Sequence, residues 1–285
     1  MYMKITGRKM DIFAMEDKKF RMIDEDFNGL QIKIIEHGLL YGDTDWNHKE
    51  VVSPFNRLYF VIKGEGCIEN GEYHHNLIPG NVYLIPAGTK YNYIGMSAFI
   101  KLYFHFELQR LPGIDVFQSL GRAMSMPYDT EKTKRLIDLL EGGTLGDQMF
   151  FKGALNEILG HFYIKMKEDG IAQMDLSGYY RQKESLYYIE KNLSAQLKIE
   201  NMAKDMHVSY YSLSRNFKRD TGIGIKEYLE VMLLKKAKHL LLTTDLQLQE
   251  IANELQFCDP FYFSRFFRKY EKVPPREYRK KRLNG

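Results

Sequence analysis

The chain has 285 residues, 44% hydrophobic and 27% charged, the balance of a soluble globular protein with room for two ordinary domains. No apolar run reaches the roughly 18 residues of a membrane-spanning helix, and two distant cysteines, Cys67 and Cys258, exclude a disulfide framework and a CxxC metal signature and fit a reducing cytoplasm. The formal net charge of +4 hides a split: residues 181–285 carry 21 Lys and Arg against 13 Asp and Glu, while residues 1–180 carry 20 against 24, so a basic third suited to a polyanion is joined to a mildly acidic remainder.

In chain order, Met1–Lys9 have no apolar core of the kind that marks secretion, and residues 1–20 show no period and read as an arm. From about 30 to 107, short runs of Ile, Val, Tyr and Phe alternate with turn residues. Gln31–Glu36, Arg57–Ile62, Asn81–Ile85 and Ala98–Phe106 are expected strands. Turns are expected at Lys63–Gly66, Glu69–Glu72 and Pro79-Gly80, with Asn70-Gly71 the strongest hairpin signal. Many short, evenly spaced strands predict a small β-barrel or sandwich. After about 130 the period becomes helical, with Leu136, Leu139 and Leu140 on one face and Leu155, Ile158, Leu159 and Phe162 on another, broken by Gly142–Gly146. The polar stretch 168–180 reads as a linker, and everything from 181 to Pro274-Pro275 is helical in pattern. The expected class is α+β: a sheet-rich region with trailing helices over 1–167, then an all-α region over 181–285.

The basic third contains a repeat at an offset of 50: Ser214 matches Ser264, Arg215 matches Arg265, Phe217 matches Phe267, Glu227 matches Glu277 and Tyr228 matches Tyr278. Each copy has two short helices across a tight turn. In the first, Ile199, Met202, Ala203 and Met206 form an apolar stripe, Ser209 is a good N-cap, and the next helix buries Leu213 and Phe217. The second repeats this with Ile251, Ala252 and Leu255, the cap Asp259, Pro260 at the first helical position, and Phe263 and Phe267 facing in. Between them, Glu227–Leu242 reads as a helix that holds the copies apart on one side of the domain.

Ser209–Gly222 (SYYSLSRNFKRDTG), Lys235–Asp245 (KKAKHLLLTTD), Glu250–Tyr270 (EIANELQFCDPFYFSRFFRKY) and Pro274–Arg279 (PPREYR) resemble the AraC/XylS family of transcription regulators over about residues 181–282. The resemblance implies a seven-helix DNA-binding domain with two helix-turn-helix motifs. It puts Tyr211 and Ser214 at base-contacting positions, with Ser264 the repeat partner of Ser214; Arg215 and Arg265 suit guanine edges and Phe261 a thymine methyl, while Ser209, Lys218, Arg219, Arg268 and Lys269 suit phosphates, the four basic residues otherwise being solvated charge. Arg215 and Arg265 could equally form helix-end salt bridges or phosphate contacts, and Phe261 could equally be core. Where the family usually has glycine this chain has Gln256, so a turn needing φ > 0 is expected to be strained or reshaped.

Arg57–Gly66 through Pro79–Tyr91, with its Gly80-x5-Pro86-x-Gly88 spacing, resembles the cupin domain that precedes many such regulators. Metal-binding cupins need a His-x-His plus Glu and a second His. Here Asn56-Arg57-Leu58 and Tyr91 stand instead, and the histidines at 37, 48, 74, 75 and 105 do not rebuild the set. No metal, no cofactor and no enzymatic activity are therefore expected, and His74-His75 read as exposed hairpin residues. Trp46, Arg57, Tyr59, Tyr83, Tyr91, Tyr93 and His105 are the candidates to line an effector site, with aromatic faces and a few polar groups suited to a small polar metabolite. The family resemblance favours a carbohydrate effector. The helices over 130–167 pair two chains or pack on the sheets, with a homodimer preferred. The implied partners are double-stranded DNA, a small-molecule effector and RNA polymerase, with no membrane. A cupin enzyme with a basic accessory domain would need ligands the sequence does not assemble, and a DNA-packaging protein would be basic throughout.

Overall fold

The computed structural model describes residues 30–172 and 174–280; the expected arm over 1–20 lies outside them. Ten strands come first: β1 (Gln31–Gly42), β2 (Asn47–Val52), β3 (Asn56–Lys63), β4 (Gly66–Glu69), β5 (His74–Leu77), β6 (Asn81–Ile85), β7 (Lys90–Gly95), β8 (Phe99–Leu111), β9 (Ile114–Asp115) and β10 (Met124–Pro127). All pairings are antiparallel, in two sheets. One runs β1-β8-β3-β6-β10 with β9 also on β8, and the other runs β2-β7-β4-β5. The strands do not close into one hydrogen-bonded ring, which corrects the barrel expectation; the sandwich alternative holds.

Strand parity explains the layering. Along β3 and β8, Leu58, Phe60, Leu102 and Phe104 face one way, where they pack with Val82 and Leu84. Tyr59, Val61 and Tyr103 face the other way, against Ile68, Tyr91 and Tyr93 of the second sheet. Along β3, β6 and β8 the first sheet is therefore buried on both faces. Its outer side is covered by α1 (Thr130–Gly142) and α2 (Leu145–Glu168), through Leu136, Phe151, Leu155, Ile158, Leu159 and Phe162. All of these but Phe151 are residues expected either to pair chains or to pack on the sheets, and they pack on the sheet. Gly143 in the left-handed region ends α1, and Thr144 begins α2 in a reciprocal cap with Asp147. The Asn70-Gly71 hairpin forms as expected: Asn70 Oδ1 accepts from the backbone of Glu72 and Tyr73, and Gly71 takes φ 84°.

The C-terminal region comprises α3 (Ser177–Arg181), α4 (Lys183–Lys191), α5 (Ile199–Asp205), α6 (Tyr210–Thr221), α7 (Ile225–Thr243), α8 (Leu248–Glu254), α9 (Pro260–Glu271) and α10 (Pro275–Arg279). From α4 onward these are the seven helices implied by the resemblance. Their core is continuous with the sheets: Phe55, Leu111 and Ile114 are buried in the same cluster as Tyr228, Leu229 and Met232 of α7. The Tyr228 hydroxyl donates to the Pro112 carbonyl, and Lys235 pairs with Glu107 at 3.4 Å. Gly113 (φ 75°) lies so close to α7 that a Cβ there would meet Met232 Sδ at 2.4 Å and Tyr228 Oη at 2.7 Å.

Candidate nucleic-acid interface and effector site

Helices α6 and α9 repeat one design. Ser209 Oγ accepts from Ser212 N, and Asp259 Oδ1 accepts from Tyr262 N, so each helix starts on a side-chain cap. Leu213 and Phe217 in α6, and Phe263 and Phe267 in α9, are buried four residues apart. The opposite faces carry the residues expected there. Tyr211 is 85% exposed and Phe261 is 78% exposed, so the core alternative for Phe261 is set aside. Arg215, Lys218, Arg265 and Arg268 are exposed, as is Ser209. Arg265 leans over the Tyr262 ring at 5.8 Å.

Several expected contacts are already engaged within the chain. Ser264 Oγ donates to Pro260 O, and Ser214 Oγ is buried, so both serines stand on the shoulder of their helices rather than at the tip. Arg219 clamps Asp220 through two nitrogens at 3.0 Å, and it also donates to Asn216. With the Arg219 and Gln182 hydrogen bonds on it, the Asp220 carboxyl is held well below the usual carboxylate range. Lys269 reaches Glu230 at 3.7 Å.

The turn of each motif rests on a left-handed non-glycine residue: His207 at φ 55° and Gln256 at φ 56°. The expectation for Gln256 thus holds, and the first copy has the same feature. In both turns the next residue donates back to an alanine carbonyl, Val208 to Ala203 and Phe257 to Ala252. The second turn has one residue more, Cys258, before its cap. Upstream of the turns the repeat offset is therefore one shorter than between the helices that follow them.

The expected effector residues fall between the sheets. Trp46, Arg57, Tyr59, Tyr83, Tyr91, Tyr93 and His105 are all buried. Not all are free to bind. Tyr83 Oη donates to Asn76 O and accepts from Ile78 N, and Tyr91 Oη accepts from Ala123 N, so these two strap loops to the sheet. The other five form one connected group. Arg57 donates to Tyr93 Oη at 2.8 Å, Trp46 packs edge-on to Tyr93 at 5.4 Å, and His105 stacks on Phe55 at 4.8 Å. A bulge between Ile34 and Glu36 brings Glu36 opposite His105, whose Nδ1 lies 3.0 Å from Glu36 Oε2. Burial outweighs that carboxylate and lowers the His105 pKa to about 4, so the ring is neutral.

Lys101, which sequence reasoning did not single out, completes the group. It is 0% exposed, with Nζ 3.5 Å from the Tyr59 ring centre and 4.2 Å from that of Trp46. Its nitrogen has no hydrogen-bond partner among the described residues; nor do Trp46 Nε1, Arg57 Nε and His105 Nε2. On the outer face of the second sheet, the β4–β5 pairing brings ligand atoms of Cys67, Glu69 and His74 within 4.8 Å of one another. His74 is exposed on the hairpin as expected, opposite Glu69 in the register.

Residues 202–281 match a family described as a helix-turn-helix domain. The chain is similar to the lactose operon transcription activator of Staphylococcus xylosus, 23% identical over 88% of this chain and 92% of that protein. It is 24% identical to the arabinose operon regulatory protein of Salmonella typhimurium, over 78% of this chain and 82% of that one. Among solved structures, ToxT of Vibrio cholerae aligns over 89% of this chain and 100% of its own at a TM-score of 0.48 and 12% identity. The first two relatives are named for the regulation of operons. No helix among the described residues is long and apolar enough to cross a membrane.

Proposed function

From the premise that this chain is a DNA-binding transcription regulator of the AraC/XylS type, we propose that α6 and α9 enter the major groove of duplex DNA and that a small polar metabolite binds between the sheets. The observation that carries the DNA reading is the repetition of outward Tyr211/Arg215 and Phe261/Arg265 on two capped helices over buried Leu213/Phe217 and Phe263/Phe267. Arg215 and Arg265 suit guanine, each contributing about 1–3 kcal/mol of discrimination. Tyr211 and Phe261 suit thymine methyls. Ser209, Lys218, Arg268 and Lys269 suit phosphates, whereas Arg219 serves the fold. Ser214 and Ser264 support neighbouring contacts. Helix α7, 19 residues and about 28 Å long, sets the spacing of the two helices.

Trp46, Arg57, Tyr59, Tyr93 and His105 bind the effector in this reading, while Tyr83 and Tyr91 shape its walls. A sugar suits the aromatic faces, and relatives that regulate sugar operons favour it. Two copies pair through the exposed Leu145, Met149, Phe150 and Ile164 on α2, beside a groove of about 740 Å³ between α1 and α2. RNA polymerase is the partner through which DNA occupancy acts.

Selection from random duplexes with the full chain tests the reading. It should enrich a site with two blocks about one helical turn apart. Arg215→Ala and Arg265→Ala should each lose one block. Binding without any enriched sequence would sink it.

A further inference from the structure

We propose that the metabolite bound between the sheets carries an acid group, held by Lys101 and Arg57, on a polyhydroxylated body. This rests on the effector reading above and specifies the chemistry of that site.

The register puts both cations on one wall. Arg57 pairs with His105, Tyr59 with Tyr103, and Val61 with Lys101, so the odd-numbered residues of β3 and β8 all face the second sheet. Among the described residues, the carboxylate that acts on Arg57 is that of Glu36, a third exposed and already engaged by His105. Among the described residues the interior thus buries two basic side chains against one committed acid. A buried charge is tolerated only when it is paired and hydrogen-bonded. The rings of Tyr59 and Trp46 on either side of Lys101 offset part of the penalty but accept no hydrogen bond of ordinary strength. Lys101 Nζ and Arg57 Nε keep unused donors. An anionic head would take both at once and let both side chains be charged together.

The surrounding groups suit the rest of such a ligand. Trp46 and Tyr93, packed edge-on at 5.4 Å beside the two basic groups, supply aromatic rings of the kind that suit a pyranose, and Trp46 Nε1 and His105 Nε2 have no hydrogen-bond partner among the described residues. A neutral sugar would leave the lysine as it stands. Carboxylate and phosphate share the required chemistry, and separate arms of the test distinguish them.

Trp46 is the single tryptophan of the chain, so its fluorescence reports on this site alone. We would titrate the full-length protein with glucose, glucuronate and glucose 6-phosphate, and repeat this with Lys101→Met and Lys101→Gln, checking the fold of each by circular dichroism. At least one acid should shift the emission while glucose does so only at far higher concentration. Both variants should weaken the acid on the order of a hundredfold and so lower the ratio of acid affinity to glucose affinity. Equal binding of glucose and the acids, or undiminished acid binding by both variants, would overturn the acid group while keeping the site as an effector site. No response to any of the three would overturn both this proposal and the effector reading. The comparison of acid with neutral sugar needs no variant, so it decides the matter even where a substitution misfolds.

Discussion

His105 shows how one buried side chain makes the sensor region pH-dependent. It is 1% exposed with a pKa lowered to about 4, against about 6.5 when unfolded. Between those values the unfolded chain binds more protons than the folded one, so stability is full above the higher value and falls as pH drops towards the lower. The loss is up to about 3 kcal/mol. His105→Gln should flatten the melting temperature between pH 6.5 and 4, and an unchanged acid profile in that variant would show that other groups set it. Lys101 behaves in the same sense, since burial, then Arg57, lowers its pKa well below the ordinary value. An acid ligand reverses that, so binding should take up a proton, read as a binding enthalpy that varies with the ionisation heat of the buffer. The groups around it are Arg57, Glu36, His48, His105, Tyr59 and Tyr103, and a buffer-independent enthalpy would place the proton elsewhere. The sequence contained the means to find Lys101, because it shares strand parity with His105 and Tyr103. A lysine in an alternating strand is ordinarily a solvent-face residue, and only the second sheet closing over it makes it otherwise.

At the scale of elements, the helices were legible because their signals are local: Ser209 and Asp259 as caps, Pro260 at the first position, and apolar residues four apart. The turns were legible only in part. Gln256 was marked by its departure from glycine, whereas His207 carried no such mark, and the extra Cys258 in the second turn could not be seen without hydrogen bonds. Both left-handed residues carry a Cβ penalty that glycine avoids, partly offset by the greater flexibility of unfolded glycine. Gln256→Gly and His207→Gly should therefore each stabilise the chain by about 0.5–1 kcal/mol in denaturant unfolding. A loss of stability would mean that the side chains make compensating contacts. The basic residues divide in the same way. Arg268→Ala should lower the slope of log affinity against log salt by about 1. Arg219→Ala should leave that slope unchanged and weaken folding instead, since its partner Asp220 also holds Gln182 and Arg181. Strands β2, β4, β5, β7, β9 and β10 were not named from the sequence, because they are short and their pairing, more than their composition, makes them strands.

Across the whole molecule, the sequence predicted two regions and a linker over 168–180; the helix Ser177–Arg181 falls partly inside that linker, and the sheet-rich and helical residues share one core. Nothing local in Pro112-Gly113-Ile114 announces that a helix more than a hundred residues later will pack on it. Gly113→Ala is the probe, because the new methyl group would push the Met232 and Tyr228 side chains aside on a backbone held at φ 75°. We expect the variant's single unfolding transition to split into two, and its DNA affinity to stop responding to effector while the recognition helices stay intact. A single transition with the response preserved would show that the contact is passive.

The joined core also limits how such a chain can be rearranged. The surface that α7 offers to the Pro112–Ile114 loop is apolar, with Leu229 and Met232 beside Tyr228. A recombinant that transplants residues 174–280 behind an unrelated sensor would leave that surface bare and prone to self-association. Modular exchange of recognition helices between regulators built like this one would therefore require the loop and α7 to travel together, as a matched coupling rather than two interchangeable parts.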